Sequence, residues 1–190
     1  MKLQRILNFA HSLLQSAVSN GDIVVDATVG NGHDTEMLAK LVGDSGHVFG
    51  FDIQEEAIAN TQVRLADHKL NSRVTLFAKG HETLKESIPD KFHPFITATI
   101  FNLGYLPGGS KNIVTHGNTT ISAIEQLLEI MPKEGIIILV VYHGHPEGAV
   151  ERDELLQYVT KLDQKKAHVL KYEFINQINN PPFIIAIEKR

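Results

Sequence analysis

The chain has 190 residues, 43% hydrophobic and 21% charged, a length that holds one α/β domain with a proper core and not two of ordinary size. It has no cysteine, which excludes a disulfide scaffold and thiolate metal sites and fits a reducing compartment. The formal net charge of −4 argues against a large nucleic-acid footprint, because a surface that grips RNA throughout is basic; any RNA contact must come from a local patch.

Leu3, Ile6, Leu7, Ala10, Leu13, Leu14 and Ala17 share one helical face, so residues 1–20 read as an amphipathic helix packed on the domain and ended by Asn20-Gly21. Lys2, Arg5 and His11 fall inside that pattern, and no run is long enough to cross a membrane. The expected compartment is the cytoplasm. Residues 23–27 form a short β-branched strand that ends at Asp26 and runs into Thr28-Val29-Gly30-Asn31-Gly32. A helix over 33–42 follows, then a strand over 48–51 ending at Asp52, and a helix over 55–68. A third strand covers 74–77 and leads to Lys79-Gly80-His81.

A weak helix near 82–88 precedes a fourth strand over 95–101, which opens into Asn102-Leu103-Gly104-Tyr105-Leu106-Pro107-Gly108-Gly109. Helices over 119–131 and 147–162 flank a continuous apolar run over 135–142, as expected of a strand buried on both faces. Two strands, 168–178 and 183–188, close the chain. Five strands alternating with helices imply a parallel sheet with helices on both faces. The last pair has no helix between its strands, so it is a hairpin and one of its members runs antiparallel. Residues 1–190 therefore read as one α/β domain with a seven-stranded, mostly parallel sheet.

In such a sheet ligands bind beyond the carboxyl ends of the strands, where the strand order reverses. The polar and glycine-rich residues gather there after five successive strands. Gly30 and Gly32 allow a tight turn and a close ligand approach, and the following helix N-terminus faces that ligand. A dinucleotide fingerprint normally places a third small residue where Thr35 stands. Asp34 beside it repels a pyrophosphate and suits a cationic or zwitterionic ligand. S-adenosylmethionine carries an ammonium and a sulfonium, which match Asp26 and Asp34, with Thr28, Asn31 and Thr35 as further hydrogen-bond partners. Acidic residues also favour the first turn of a helix on ordinary grounds.

Asp52 lies about 20 residues beyond the turn, the spacing of a ribose-binding acid, and alternatively caps the next helix. Asn102 and its neighbouring carbonyl can accept hydrogen bonds from an amino group and hold its lone pair in line with a methyl. Tyr105 can stack on a base, or the segment is only a turn. His143, His145 and Glu147 raise the question of a metal, but no third partner of suitable spacing is evident. His143 or Glu147 serves better as a proton acceptor or substrate contact. Gly80 and His81 are placed at the site by their strand-end position.

The blocks Asp26-Ala-Thr-Val-Gly-Asn-Gly-His-Asp-Thr, Gly80-His-Glu, Asn102-Leu-Gly-Tyr-Leu-Pro-Gly-Gly and His143-Gly-His-Pro-Glu-Gly resemble a bacterial family of small class I methyltransferases labelled rRNA methylases. Members are assigned as tRNA methyltransferases that convert 5-aminomethyl-2-thiouridine at the wobble position to its methylaminomethyl form. The resemblance implies a Rossmann-like class I fold and S-adenosylmethionine as donor. It places Asp26, Asn31, Gly32, Asp34, Thr35, Asp52, Gln54, His81 and Asn102 around that donor. It also implies a homodimer and tRNA as substrate. The overall acidity fits a small anticodon stem-loop footprint, with Lys111 beside the Gly108-Gly109 loop as a candidate phosphate contact. Methylation of rRNA or of a small-molecule amine, a nucleotide-binding regulatory domain and a dinucleotide oxidoreductase are the competing readings.

Overall fold

The computed structural model describes residues 2–104 and 114–190. Ile23–Asp26 (β1), His47–Phe51 (β2), Val74–Phe77 (β3), Ile96–Leu103 (β4) and Ile136–Val141 (β5) pair in parallel. Phe183–Lys189 (β7) inserts antiparallel between β5 and Ala167–Tyr172 (β6), giving the order β3-β2-β1-β4-β5-β7-β6. This is the expected seven-stranded, class I methyltransferase arrangement with its terminal hairpin.

Helices cover both faces because each central strand is apolar on both. Ile6–Ala17 (α1), His33–Val42 (α2) and Glu55–Asp67 (α3) bury Ile6, Ala10, Leu14, Leu38, Val42 and Leu65 against Val24, Val48, Ile100 and Ile138. The short Leu84–Ser87 (α4), with Gly117–Ile130 (α5) and Pro146–Val159 (α6), packs Leu84, Ile124, Leu127 and Leu155 on Val25, Phe101, Ile137 and Ile185. The α1 stripe is narrower than the sequence implies: the helix starts at Ile6, and Leu3 and Leu7 stay exposed. Phe9 stacks near Tyr172 with ring centroids 4.2 Å apart, and the Tyr172 hydroxyl donates to the Gln4 carbonyl at 2.8 Å. These contacts fix α1 to the sheet.

Two strand ends differ from the sequence reading. β6 stops at Tyr172, opposite Ile184, rather than continuing to 178. Beyond Phe183 the would-be partner is Pro181-Pro182, which has no N–H to donate to a ladder, so Ile175 and Ile178 lie in an exposed connection. β4 instead runs two residues further, because Asn102 and Leu103 pair with Val140 and Val141. Asn102 is thus held by a central strand and not by a turn.

Candidate active site

The strand order reverses between β1 and β4, and their carboxyl ends are stitched together. Asp26 lies opposite Ile100, the Ala27 N–H donates to the Ile100 carbonyl at 2.9 Å, and the Asn102 N–H donates to Thr28 Oγ1 at 2.6 Å. Thr28, expected to face a ligand, spends its hydroxyl oxygen on this cross-strand bond.

The turn after β1 has left-handed φ values of 53° at Gly30 and 76° at Gly32, which glycine adopts without a Cβ clash. Helix α3 braces it from outside: Thr61 Oγ1 donates to the Gly30 carbonyl at 3.1 Å and Arg64 Nε to the Asn31 carbonyl at 2.8 Å. Sequence reasoning missed both residues as parts of the site. Thr61 lies on the buried face of its helix beside Ala57, Ile58 and Leu65, where a hydroxyl carries no distinct sequence signal, and no local signal links Arg64 to a turn in a distant part of the chain. Asp52 accepts from the Gly30 N–H at 2.9 Å through one oxygen and from the Gln54 N–H at 2.9 Å through the other. It therefore ties the end of β2 to the turn and closes a local turn at the start of α3, where Gln54 is the N-cap residue. Each oxygen keeps a second lone pair for a ligand hydroxyl.

Three carboxylates converge here. Asp26 is fully buried, and its pKa is pushed up to about 7 by burial and then by the charge of Asp34, against hydrogen bonds from Thr35 and Thr28. Thr35 is itself fully buried and donates Oγ1–H to Asp26 at 2.6 Å. This corrects the expectation of a ligand-facing Thr35, since its one proton is already committed and its side chain supports Asp26. Asp34 has one oxygen 2.7 Å from His11 Nε2 and the other bonded to the Asn102 Nδ2–H. That bond orients the amide, because only the NH2 end can donate to a carboxylate. Asn102 Oδ1 is left buried with no hydrogen-bond partner among the described residues. Tyr142, just past β5, stands near the same cluster: burial and the Asp34 charge both raise its phenol pKa.

His81 does not face a ligand as expected but lies buried beneath the turn. Its Nδ1–H donates to the Ala27 carbonyl at 3.0 Å, its ring meets Phe101 edge-on, and burial lowers its pKa, which keeps it neutral. Thr120 Oγ1 stands 3.5 Å from His81 Nε2 and donates to Glu151 at 2.9 Å. Glu151 is a third missed residue. The Gly80 carbonyl accepts the Thr83 hydroxyl at 2.8 Å, which closes the turn that carries His81.

His143 is engaged elsewhere. Its Nε2–H donates to the Pro181 carbonyl at 2.9 Å, and Nδ1 faces Arg152 NH1 at 3.4 Å. Both nitrogens are used, so the proton-acceptor role expected of it does not fit this arrangement. Glu147 is exposed in the first turn of α6, beside a cleft that also holds His116, Asn118 and Glu154. Tyr105 and Lys111 lie outside the described residues.

The residues present fit a cationic adenosyl donor. A glycine turn lets the ligand approach the main chain, Asp52 offers spare acceptor capacity at the spacing of a ribose, and Asp26 and Asp34 bring negative charge. The orphaned Asn102 Oδ1 marks the place where an outside donor group is needed, since a buried acceptor without a partner costs about 1–3 kcal/mol.

Comparison with known proteins agrees. The family profile described as "Putative rRNA methylase" matches residues 48–188. The chloroplastic tRNA (mnm(5)s(2)U34)-methyltransferase of Arabidopsis thaliana is 35% identical over 189 residues, covering 95% of this chain and 68% of that protein. The crystal structure of a protein from Clostridium thermocellum described as a "putative rRNA-methylase" superimposes with a TM-score of 0.96 at 44% identity, over 100% of both chains. A "putative methyltransferase" from Streptococcus mutans, solved in complex with S-adenosylhomocysteine, matches with a TM-score of 0.89 at 37% identity over 99% of each chain.

Proposed function

The chain belongs to the family described as "Putative rRNA methylase", and from that membership we propose that it methylates the amine of a 5-aminomethyluridine at the wobble position of tRNA. Its activity is S-adenosylmethionine-dependent methyl transfer to RNA, in keeping with the S-adenosylhomocysteine held by the Streptococcus mutans relative. The choice of tRNA over rRNA rests on one observation, the 35% identity to the Arabidopsis thaliana tRNA enzyme across 95% of this chain.

S-adenosylmethionine, when bound, supplies an electrophilic methyl group on a sulfonium. Asp52 accepts from the ribose hydroxyls with the lone pairs left over from Gly30 and Gln54. The Gly30–Gly32 turn would let the donor approach the main chain, and Asp26 and Asp34 would favour its positive charge. Asn102 Oδ1 accepts an N–H of the acceptor amine and fixes the direction of its lone pair. Catalysis here is mainly positioning, a contribution that reaches about 7–11 kcal/mol for well-aligned reactants. The amine arrives largely protonated at neutral pH and gives up a proton to solvent water. Its nitrogen would then bond to the methyl carbon as the carbon–sulfur bond breaks and S-adenosylhomocysteine leaves. The chain's partners on this reading are the anticodon stem-loop and a second copy of itself, the latter checked by analytical ultracentrifugation.

A small-molecule amine is the second reading, and the net charge of −4 favours it. Incubation with the methyl donor and tRNA from cells lacking the modification, followed by nucleoside mass spectrometry, separates the two. One methyl gained on the aminomethyl nucleoside supports the tRNA reading. Methylation of the free nucleoside but not of intact tRNA moves the assignment to small molecules.

A further inference from the structure

We infer that His11, on the N-terminal helix, is a positioning residue for methyl transfer, acting through Asp34 to hold the Asn102 amide with its oxygen toward the acceptor amine. The inference rests on Asn102 being the group that meets that amine. A side-chain amide has two nearly isosteric ends, and a half-turn would present NH2 to the amine and repel its N–H groups. What selects the end is the Asp34 carboxylate, which can only accept. One Asp34 oxygen takes the Asn102 Nδ2–H and the other is 2.7 Å from His11 Nε2, so the carboxylate is held at both ends and has no free rotation. Bonds to a carboxylate are charge-assisted and roughly twice as strong as neutral ones.

The scaffold supports this role. Ala10 and Leu14, which flank His11 in chain order, are fully buried, so the helix that carries the imidazole is locked onto the sheet. The hydrogen bond to Asp34 raises the His11 pKa against the opposing effect of burial, as expected of a ring that donates to a carboxylate. Thr28 holds the Asn102 main chain, and the His11–Asp34 pair holds its side chain. His11 and Asp34 both precede residues 48–188, the span matched by the family profile.

The test compares His11→Ala with His11→Gln, whose amide keeps a donor for Asp34. His11→Ala should slow single-turnover methyl transfer about tenfold while KM for tRNA and affinity for S-adenosylhomocysteine stay within about twofold, as expected when only alignment is lost. His11→Gln should recover most of the rate. The Asn102 side-chain amide resonances, assigned by their loss in Asn102→Ala, should lose their carboxylate-bonded downfield shift in His11→Ala and regain it in His11→Gln. Unmoved resonances, or a rate that falls in step with donor affinity in both variants, overturn the inference. If His11→Ala does not fold, His11→Asn, with a donor too short to reach, takes its place. The resonances are read on the protein alone, so failure of the tRNA reading, seen as no methylation by the wild type, is distinguished from failure of the His11 role.

Discussion

Gly32 has no room for a side chain, because a Cβ there would stand 2.6 Å from Thr61 Oγ1. Its φ of 76° is a second obstacle, since a residue with a Cβ is strained there by about 1–3 kcal/mol. Gly32→Ala should therefore lower the thermal midpoint and weaken S-adenosylhomocysteine binding together. Adding Thr61→Ala takes away the two nearest atoms but leaves the Thr61 Cβ 3.0 Å away, the backbone strain, and the Gly30 carbonyl without its hydroxyl donor, so it should recover only part of each loss. A Gly32→Ala protein with the wild-type midpoint would show that the turn is not built as described.

Much of this was legible in the sequence, and the reason is local. The strand over 74–77 and the helix over 33–42 are bounded by turn residues that act within a few positions, and both appear with those limits. The glycine turn, Asp52 and Asn102 were legible because each sits at a strand end. The inward roles of Thr35 and His81 were not, since a hydroxyl or imidazole at a strand end looks the same in sequence whether it faces ligand or core. Nor were Thr61, Arg64, His11 and Glu151, whose partners are set by how helices dock across the sheet.

Asp26 should make donor affinity depend on pH. Its carboxyl is pushed up to about 7, so at pH 6 it is mostly neutral and at pH 8 mostly ionised. S-adenosylmethionine has a net positive charge and prefers the ionised site. Its affinity should rise with pH across this window, by at most about tenfold per unit below the pKa. S-adenosylhomocysteine lacks the sulfonium and should show a shallower slope. Calorimetry from pH 6 to 8 checks this, and a slope that survives Asp26→Asn would assign the titration to another group.

Asp52 holds the turn through Gly30 and, in the proposed site, the ribose as well. Asp52→Ala removes the acceptor for two main-chain N–H groups and should weaken S-adenosylhomocysteine binding by tenfold or more, about 1.5–3 kcal/mol for a bond to a charged group. Calorimetry with adenosine tests the ribose contact by itself. Normal adenosine and donor affinities in Asp52→Ala would withdraw the assignment.

Glu151 stands 2% exposed inside the fold, where its carboxylate accepts from Thr115 at 2.6 Å and Thr120 at 2.9 Å. Thr115 in turn accepts the Gly104 N–H at 3.0 Å, so this one side chain links α6, α5 and the end of β4. Burial raises its pKa, and the two hydroxyls and the charge of His116 only partly offset that. The folded pKa therefore lies above the unfolded one. Between the two values the folded state binds more protons than the unfolded state, so wild-type stability falls as pH rises through that window. Glu151→Gln removes the titration and keeps an acceptor for one of the two hydroxyls, with an NH2 donor facing the other. Its stability relative to wild type should improve as pH rises from the ordinary carboxyl value through the raised folded one, then level off. Glu151→Ala leaves Thr115 and Thr120 without their acceptor and should cost about 1–3 kcal/mol throughout. Urea denaturation of the three proteins across pH decides the matter. A Gln variant that tracks wild type in parallel at every pH would mean that Glu151 does not titrate between the folded and unfolded states in that range.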